Sequence, residues 1–333
     1  MNTPEIYKFK PILKSVLWGG DKICKLKKIQ SDRTDIGESW EVSGVKGNES
    51  VVADGKDAGR TLSELVHEYK GLLVGDCNYK LYGDEFPLLI KIIDAQKDLS
   101  LQVHPNDELA AKRHNSKGKT EMWYVIGTEP GAELIAGFAK EVHKEEFSDL
   151  VKSNGILDVV RHYPTTPGDA FFIPAGLVHG IGAGNLIVEV QQTSDVTYRI
   201  YDYDRRDAQG NPRQLHIEES RDAINYAVTT AKVTPQRLPI TTDNLNPQPQ
   251  AVATSIVQCP YFSVNEIDVN EPLTLPTHDS FLILIAIDGE MTITCPSSRT
   301  SDISLSKGET ILIPAAIPVV TITGTGRLIS ATC

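Results

Sequence analysis

Three short stretches of this 333-residue chain carry side-chain types that could hold a divalent metal together. Leu99-Ser-Leu-Gln-Val-His-Pro105 alternates strictly. In an extended strand Ser100, Gln102 and His104 therefore share one face, and Leu99, Leu101 and Val103 the other. In Gly118-Lys-Thr-Glu-Met-Trp-Tyr124 the same alternation sets Lys119, Glu121 and Trp123 on one face. Pro174-Ala-Gly-Leu-Val-His179 closes a third stretch with an imidazole. Each means little alone, because a polar strand face ordinarily points to water. Together Gln102, His104, Glu121 and His179 offer two imidazoles, one carboxylate and one neutral amide oxygen. That borderline N/O set suits zinc, and iron(II), manganese or cobalt as well, and leaves a coordination position for water or substrate. One ion per chain is expected.

Lys119 lies two residues from Glu121 and on its face, close enough to act as a base or proton shuttle; the competing reading is a surface lysine at a strand start. Arg199 sits in Val196-Thr-Tyr-Arg-Ile-Tyr-Asp202, otherwise apolar or aromatic. A permanent guanidinium charge there needs a partner, whether Asp202 or Asp204, a substrate phosphate, or a developing oxyanion. No Gly-rich phosphate loop ending in Gly-Lys-Ser/Thr is present, so a phosphate must be held mainly by side chains. Lys91, Ser100 and Lys119 are candidates because they lie in or beside the donor-bearing strands, with Arg205 and Arg206 unranked beside them. His67, His114, His143, His162, His216 and His278 fall in helical, charged or loop-like stretches or lack evident partners, and are read as non-ligands.

Short strands must position these groups. Pro87–Ile93, Leu99–His104, Glu121–Ile126, Ala170–Pro174, Leu186–Gln191 and Val196–Tyr201 are rich in β-branched and aromatic residues and punctuated by Gly, Pro, Asn and Asp, the pattern of a sandwich or barrel. Helices are fewer: one opened by a Thr61/Glu64 capping box and continued by Leu62, Leu65, Val66, Tyr69, Leu72 and Leu73, one over Glu141–Lys152, and one over Ile217–Val228. Thr229–Gln250, polar and holding four prolines, reads as a connector. Gly168-Asp-Ala-Phe-Phe-Ile-Pro-Ala175 is echoed by Gly308-Glu-Thr-Ile-Leu-Ile-Pro-Ala315, which points to a duplicated module. His179 follows the first copy, and Val319 holds its place in the second. The fold class expected is mainly β, with two cupin-like jelly-roll modules and a few helices on the first. The catalytic unit is placed at 1–240 and a degenerate copy at 250–333.

Bulk properties narrow the partners. A net charge of −11 argues against a general affinity for nucleic acid or anionic membrane. The apolar run Phe281–Ile287 is too short to span a bilayer. Five scattered cysteines without a C-x-x-C pair, and an N-terminus without a secretory pattern, suit free thiols in a reducing cytoplasm.

As a set, Leu17-Trp-Gly-Gly20, Gly37-Glu-Ser-Trp-Glu-Val-Ser43, Leu99-Ser-Leu-Gln-Val-His-Pro-Asn-Asp107, Gly118-Lys-Thr-Glu-Met-Trp-Tyr124, Pro174-Ala-Gly-Leu-Val-His179 and Tyr198-Arg-Ile-Tyr-Asp-Tyr-Asp-Arg205 resemble the type I mannose-6-phosphate isomerases, in the short bacterial form. The resemblance runs through the first two-thirds of the chain. It implies a sugar-phosphate substrate, zinc on Gln102, His104, Glu121 and His179, and a catalytic role for Arg199. Longer relatives carry a large helical insertion before the last histidine; here the interval from Glu121 to His179 has room for one helix. The reaction implied is interconversion of mannose-6-phosphate and fructose-6-phosphate through a cis-enediolate. The rivals are a cupin oxygenase, whose two histidines and carboxylate form a similar set, and a non-catalytic sugar-binding cupin.

Overall fold

The computed structural model describes residues 3–207, 209–240, 251–295 and 302–333. Among these, a six-stranded antiparallel sheet runs in spatial order Ala170–Ile173, Glu121–Gly127, Leu186–Gln192, Leu88–Asp94, Ile36–Ser43, Ile12–Gly20. A five-stranded sheet runs Tyr198–Tyr201, Leu101–Val103, His179–Ile181, Glu133–Phe138, Val160–Pro164. The two face each other across one core cluster, with Ile93, Trp123, Val125 and Phe171 from the first packed on Leu134, Ala136 and Ile181 from the second. The chain is mainly β and cupin-like, as expected. Its sheets stay open in a jelly-roll arrangement and do not close into barrels.

The repeat holds down to individual hydrogen bonds. Gly168 N donates to Val125 O and Val125 N to Asp169 O; 140 residues on, Gly308 N donates to Ala286 O and Ala286 N to Glu309 O. Both glycines have positive φ, +96° and +86°, a conformation that a side chain would strain. The acids that follow accept at equivalent places, Asp169 from Thr166 N at 3.0 Å and Glu309 from Ser306 N at 2.7 Å. The registers also correspond: Ile173 pairs with Glu121 and Ile313 with Leu282. The second module thus sets Leu282 where the first has Glu121 and Val319 where it has His179.

The C-terminal strands belong to a ten-stranded sheet that also includes Tyr7–Lys10 and Val51–Val52, with Tyr7 paired to Leu312 and Phe9 to Val52. One core cluster joins Tyr7, Leu65 and Phe86 to Phe281, Leu312 and Ile329, so the copies share an apolar interior.

The Thr61 capping box forms as read, with Glu64 N donating to Thr61 Oγ1 and Thr61 N to Glu64 Oε2, and opens the helix Leu62–Tyr69. The expected continuation through Leu72 and Leu73 is broken at Lys70, whose φ is +51°, and those leucines fall in a separate short helix, Gly71–Val74. Three further local expectations need correction. The helix expected over Glu141–Lys152 is confined to Phe147–Lys152, where Phe147 and Val151 supply the apolar anchor. The helix from Ile217 stops at Ala223, because Ile224 turns extended into the core and Asn225 N is captured by Gly176 O. The connector contains a strand, Gln236–Ile240, paired with Ala251–Gln258; its residues 241–250 lie outside those described. A helix over Asp107–His114, capped by Asn106, was not read from the sequence because its apolar face is short, the buried Ala110 with the partly buried Leu109 beside it.

Candidate metal centre

His104 follows the strand Leu101–Val103, Glu121 opens Glu121–Gly127, and His179 opens His179–Ile181. The site therefore lies between the two facing sheets, with the carboxylate on one and both imidazoles on the other. The loop carrying His179 is tied to the His104 strand by Gly176 N donating to His104 O at 2.9 Å.

All three donors are essentially inaccessible to solvent. His104 Nδ1 lies 2.9 Å from Val196 O, and His179 Nδ1 lies 2.8 Å from Leu177 O. Each carbonyl can only accept, so each ring carries its proton on Nδ1 and turns the Nε2 lone pair inward. The two Nε2 atoms stand 3.2 Å apart, with Glu121 Oε2 3.4 Å from His104 Nε2 and Oε1 3.5 Å from His179 Nε2. No hydrogen bond in good geometry reaches Glu121, but the Lys119 ammonium stands 3.1 Å from its Oε2 and 3.0 Å from His104 Nε2, and so meets part of the cluster's need for positive charge. The inward lone pairs of two buried imidazoles beside that carboxylate are still the donor arrangement of a metal site. Ligand atoms about 2.0–2.1 Å from a tetrahedral ion stand about 3.3–3.4 Å apart, so the spacing fits zinc. Among the described residues this is the one His/Cys/Asp/Glu group with metal-binding geometry.

Gln102 is the direct cross-strand partner of His179 on one side and of Arg199 on the other. Opposed residues in an antiparallel pair project to the same face, so Arg199, Gln102 and His179 form one row. Lys119 Nζ lies 3.0 Å from His104 Nε2 and 3.1 Å from Glu121 Oε2. Burial, then the adjacent Lys119, depresses the His104 imidazole to about 3. Burial likewise lowers His179. Burial alone would raise Glu121, but the Lys119 ammonium 3.1 Å away holds it well below the usual carboxylate range. All three donors are thus in the deprotonated form that binds metal.

Arg199 has no carboxylate partner among the described residues. Its Nη1 donates to Gln214 O at 2.9 Å, and its Nε is buried without a partner. Asp202 is bound instead by Arg205 and Arg213. The ion pair with Asp202 or Asp204 considered from the sequence does not form. Lys91 is buried, 3.1 Å from Glu189 Oε1, 3.9 Å from Glu38 Oε2 and over the Trp40 ring. Its charge is therefore already matched. Ser100 is buried beside the Gln102 strand. Sequence reasoning passed over Glu189, a carboxylate that accepts from Trp123 Nε1 at 3.0 Å while the Trp123 ring meets His179 edge-on. An acid inside the apolar run Leu186–Gln192 was the available signal.

Comparison with known proteins places the chain in one family. Residues 6–125 match the family model described as phosphomannose isomerase type I, catalytic domain, and residues 252–333 match mannose-6-phosphate isomerase, cupin domain. The mannose-6-phosphate isomerase ManA of Bacillus subtilis is 38% identical over 292 residues, 87% of each chain. The mannose-6-phosphate isomerase of Streptococcus mutans is 33% identical over 90% of each. The crystal structure of a mannose 6-phosphate isomerase from Bacillus subtilis superimposes with a TM-score of 0.87 at 31% identity, over 98% of this chain and 99% of that one. His179 lies between the two matched segments.

Proposed function

Because the chain belongs to the type I mannose-6-phosphate isomerase family and is an isomerase, we propose that it interconverts mannose-6-phosphate and fructose-6-phosphate through a cis-enediolate, with one zinc ion held by Gln102, His104, Glu121 and His179. The observation that supports the metal is the buried convergence of two imidazole Nε2 atoms and the Glu121 carboxylate at 3.2–3.5 Å. When bound, zinc supplies Lewis-acid polarisation of the sugar oxygens, worth roughly several kcal/mol in the transition state, without redox chemistry.

The residues divide the remaining work. The isomerisation removes a proton from C2 and the hydroxyl proton from O2, and returns one to C1 and one to O1. Lys119, buried at the donor cluster, is proposed to carry the carbon-bound proton. Arg199, on the same face as Gln102 and His179 and free of a carboxylate, is proposed to hold the negative charge that builds on the enediolate oxygens. A guanidinium keeps its proton, which suits charge stabilisation better than proton transfer. Ser100 and Lys91 are proposed substrate contacts. Glu189 already balances the Lys91 charge, so Lys91 acts as a hydrogen-bond donor to a substrate oxygen rather than as a lone phosphate clamp.

A coupled assay for fructose-6-phosphate formed from mannose-6-phosphate, with and without chelator, tests this reading. Activity lost on chelation and restored by zinc is expected. Full activity in the chelated, metal-free protein would remove the metal from the mechanism.

A further inference from the structure

The C-terminal module carries apolar residues at the positions of Glu121 and His179, yet it reaches the segment that bears Lys119 through Asp107. Tyr261, in the module matched as the cupin domain, donates through its hydroxyl to Asp107 Oδ2 at 2.7 Å. The other oxygen, Asp107 Oδ1, accepts from Gly118 N at 2.8 Å and from Gln192 Nε2 at 3.1 Å. Gln192 Oε1 in turn accepts from Thr120 N at 2.8 Å. Lys119 N, between them, donates to Pro105 O at 3.1 Å. The backbone N–H groups on either side of Lys119 are thus bonded to one connected set of side chains, and Lys119 N to a carbonyl two residues before Asp107.

We propose that Tyr261, Asp107 and Gln192 are positioning residues for Lys119, and that through Tyr261 the degenerate C-terminal module acts as a brace for the catalytic segment. The inference rests on the assignment of Lys119 as proton carrier.

Two features make the brace sensitive. Asp107 is three residues from the donor His104, on the first turn of the helix capped by Asn106, so it shares a rigid frame with the metal site. Gly118 also packs against that turn too closely for any side chain: a Cβ there would fall 2.6 Å from Asp107 N and 2.7 Å from the Asn106 carbonyl carbon. A shift of Asp107 must therefore shift Gly118, and with it the stem of Lys119. Tyr261 fixes the carboxylate that makes this junction, from the turn between the strands Ala251–Gln258 and Ser263–Val269, 154 residues away. The structure thereby gives the second copy a use that does not require it to bind metal.

Tyr261→Phe removes only the hydroxyl. Because a misplacement of about 1 Å at a reacting group can cost roughly a hundredfold, a partial release should lower kcat about tenfold, with KM, metal content and melting temperature kept. Asp107→Ala, which frees Gly118 N as well, should lower kcat about a hundredfold, and Asp107→Asn, retaining an acceptor for Gly118 N, should fall between the two. In a Lys119→Met background, Tyr261→Phe should cause no further loss of residual turnover, because the brace then has no ammonium to place. Wild-type kcat in Tyr261→Phe overturns the proposal. So does a loss explained by lower stability or metal content, or one that multiplies undiminished in the Lys119→Met background. Full turnover in Lys119→Met would instead remove the lysine assignment, and the brace with it.

Discussion

Replacing Arg199 by alanine separates a structural arginine from one that stabilises the transition state. If Arg199 were half of a buried ion pair, its loss would strand a carboxylate at a cost of about 3–5 kcal/mol. The structure makes that outcome unexpected, because Asp202 keeps both Arg205 and Arg213 when Arg199 is removed. What the folded state loses is one hydrogen bond to Gln214 O, worth about 1 kcal/mol. The backbone bonds from Arg199 N to His216 Nδ1 and from His216 N to Arg199 O survive the substitution. Some of that loss is offset, since burial and then Arg213 already depress the Arg199 pKa, a sign that its charge is poorly accommodated in the resting fold. Stability should therefore change by no more than about 1 kcal/mol, a melting shift of roughly a few degrees. Turnover should fall about a hundredfold or more, equivalent to about 3 kcal/mol of transition-state stabilisation. Thermal melts and steady-state kinetics on one preparation of known metal content read both quantities. A normal kcat per folded, metal-loaded molecule refutes the assignment. A raised KM with unchanged kcat would move Arg199 to ground-state binding of the substrate.

Elemental analysis should find about one tightly held divalent metal per chain, since Leu282 and Val319 occupy the second module's donor positions; two equivalents, one of them lost on altering that module, would contradict the correspondence of the copies. His104→Ala and Glu121→Ala should each lose metal and activity together, and either variant with full zinc and normal turnover would leave the site. Lys119→Met should keep the metal but lose most exchange of solvent deuterium at C2, whereas exchange at the wild-type rate would place the base elsewhere. In metal-free protein His104 stays neutral down to about pH 3, while in the unfolded chain it protonates near its ordinary value of 6.5. The unfolded state therefore binds the extra proton, and stability should decline as pH falls from about 6.5 toward 3, by about 2 kcal/mol at pH 5. Denaturant melts of chelated protein at pH 7 and pH 5 measure this, His104→Gln should reduce the difference, and equal stabilities at the two pH values would contradict the buried, neutral imidazole.

Much of the site was legible because its signals are local. Strand alternation in Leu99–Pro105 and Gly118–Tyr124 assigns Gln102 with His104, and Lys119 with Glu121, to common faces whatever the rest of the chain does. The repeat around Gly168 and Gly308 was equally visible, because a turn glycine with positive φ and an acid closing its own turn are encoded within a few residues. The helix ends were less so. Ile217–Ala223 stops where it does because Gly176, distant in sequence, takes Asn225 N, and no residue within the helix announces that.

By itself, then, the sequence determined which side chains could meet a metal, which strand face each would occupy, and that Val319 stands in the second module where the first has His179. Only the tertiary structure decided that the donors meet. Glu121 belongs to one sheet and His104 and His179 to the other, and their approach to 3.2–3.5 Å depends on how the two sheets face each other across the core. The register that lines up Arg199, Gln102 and His179, the transfer of Asp202 to Arg205 and Arg213, and the reach of Tyr261 to Asp107 likewise join residues far apart along the chain. Backbone periodicity sets the direction of a side chain, but inter-strand register and sheet packing, which are cooperative and non-local, set its neighbours.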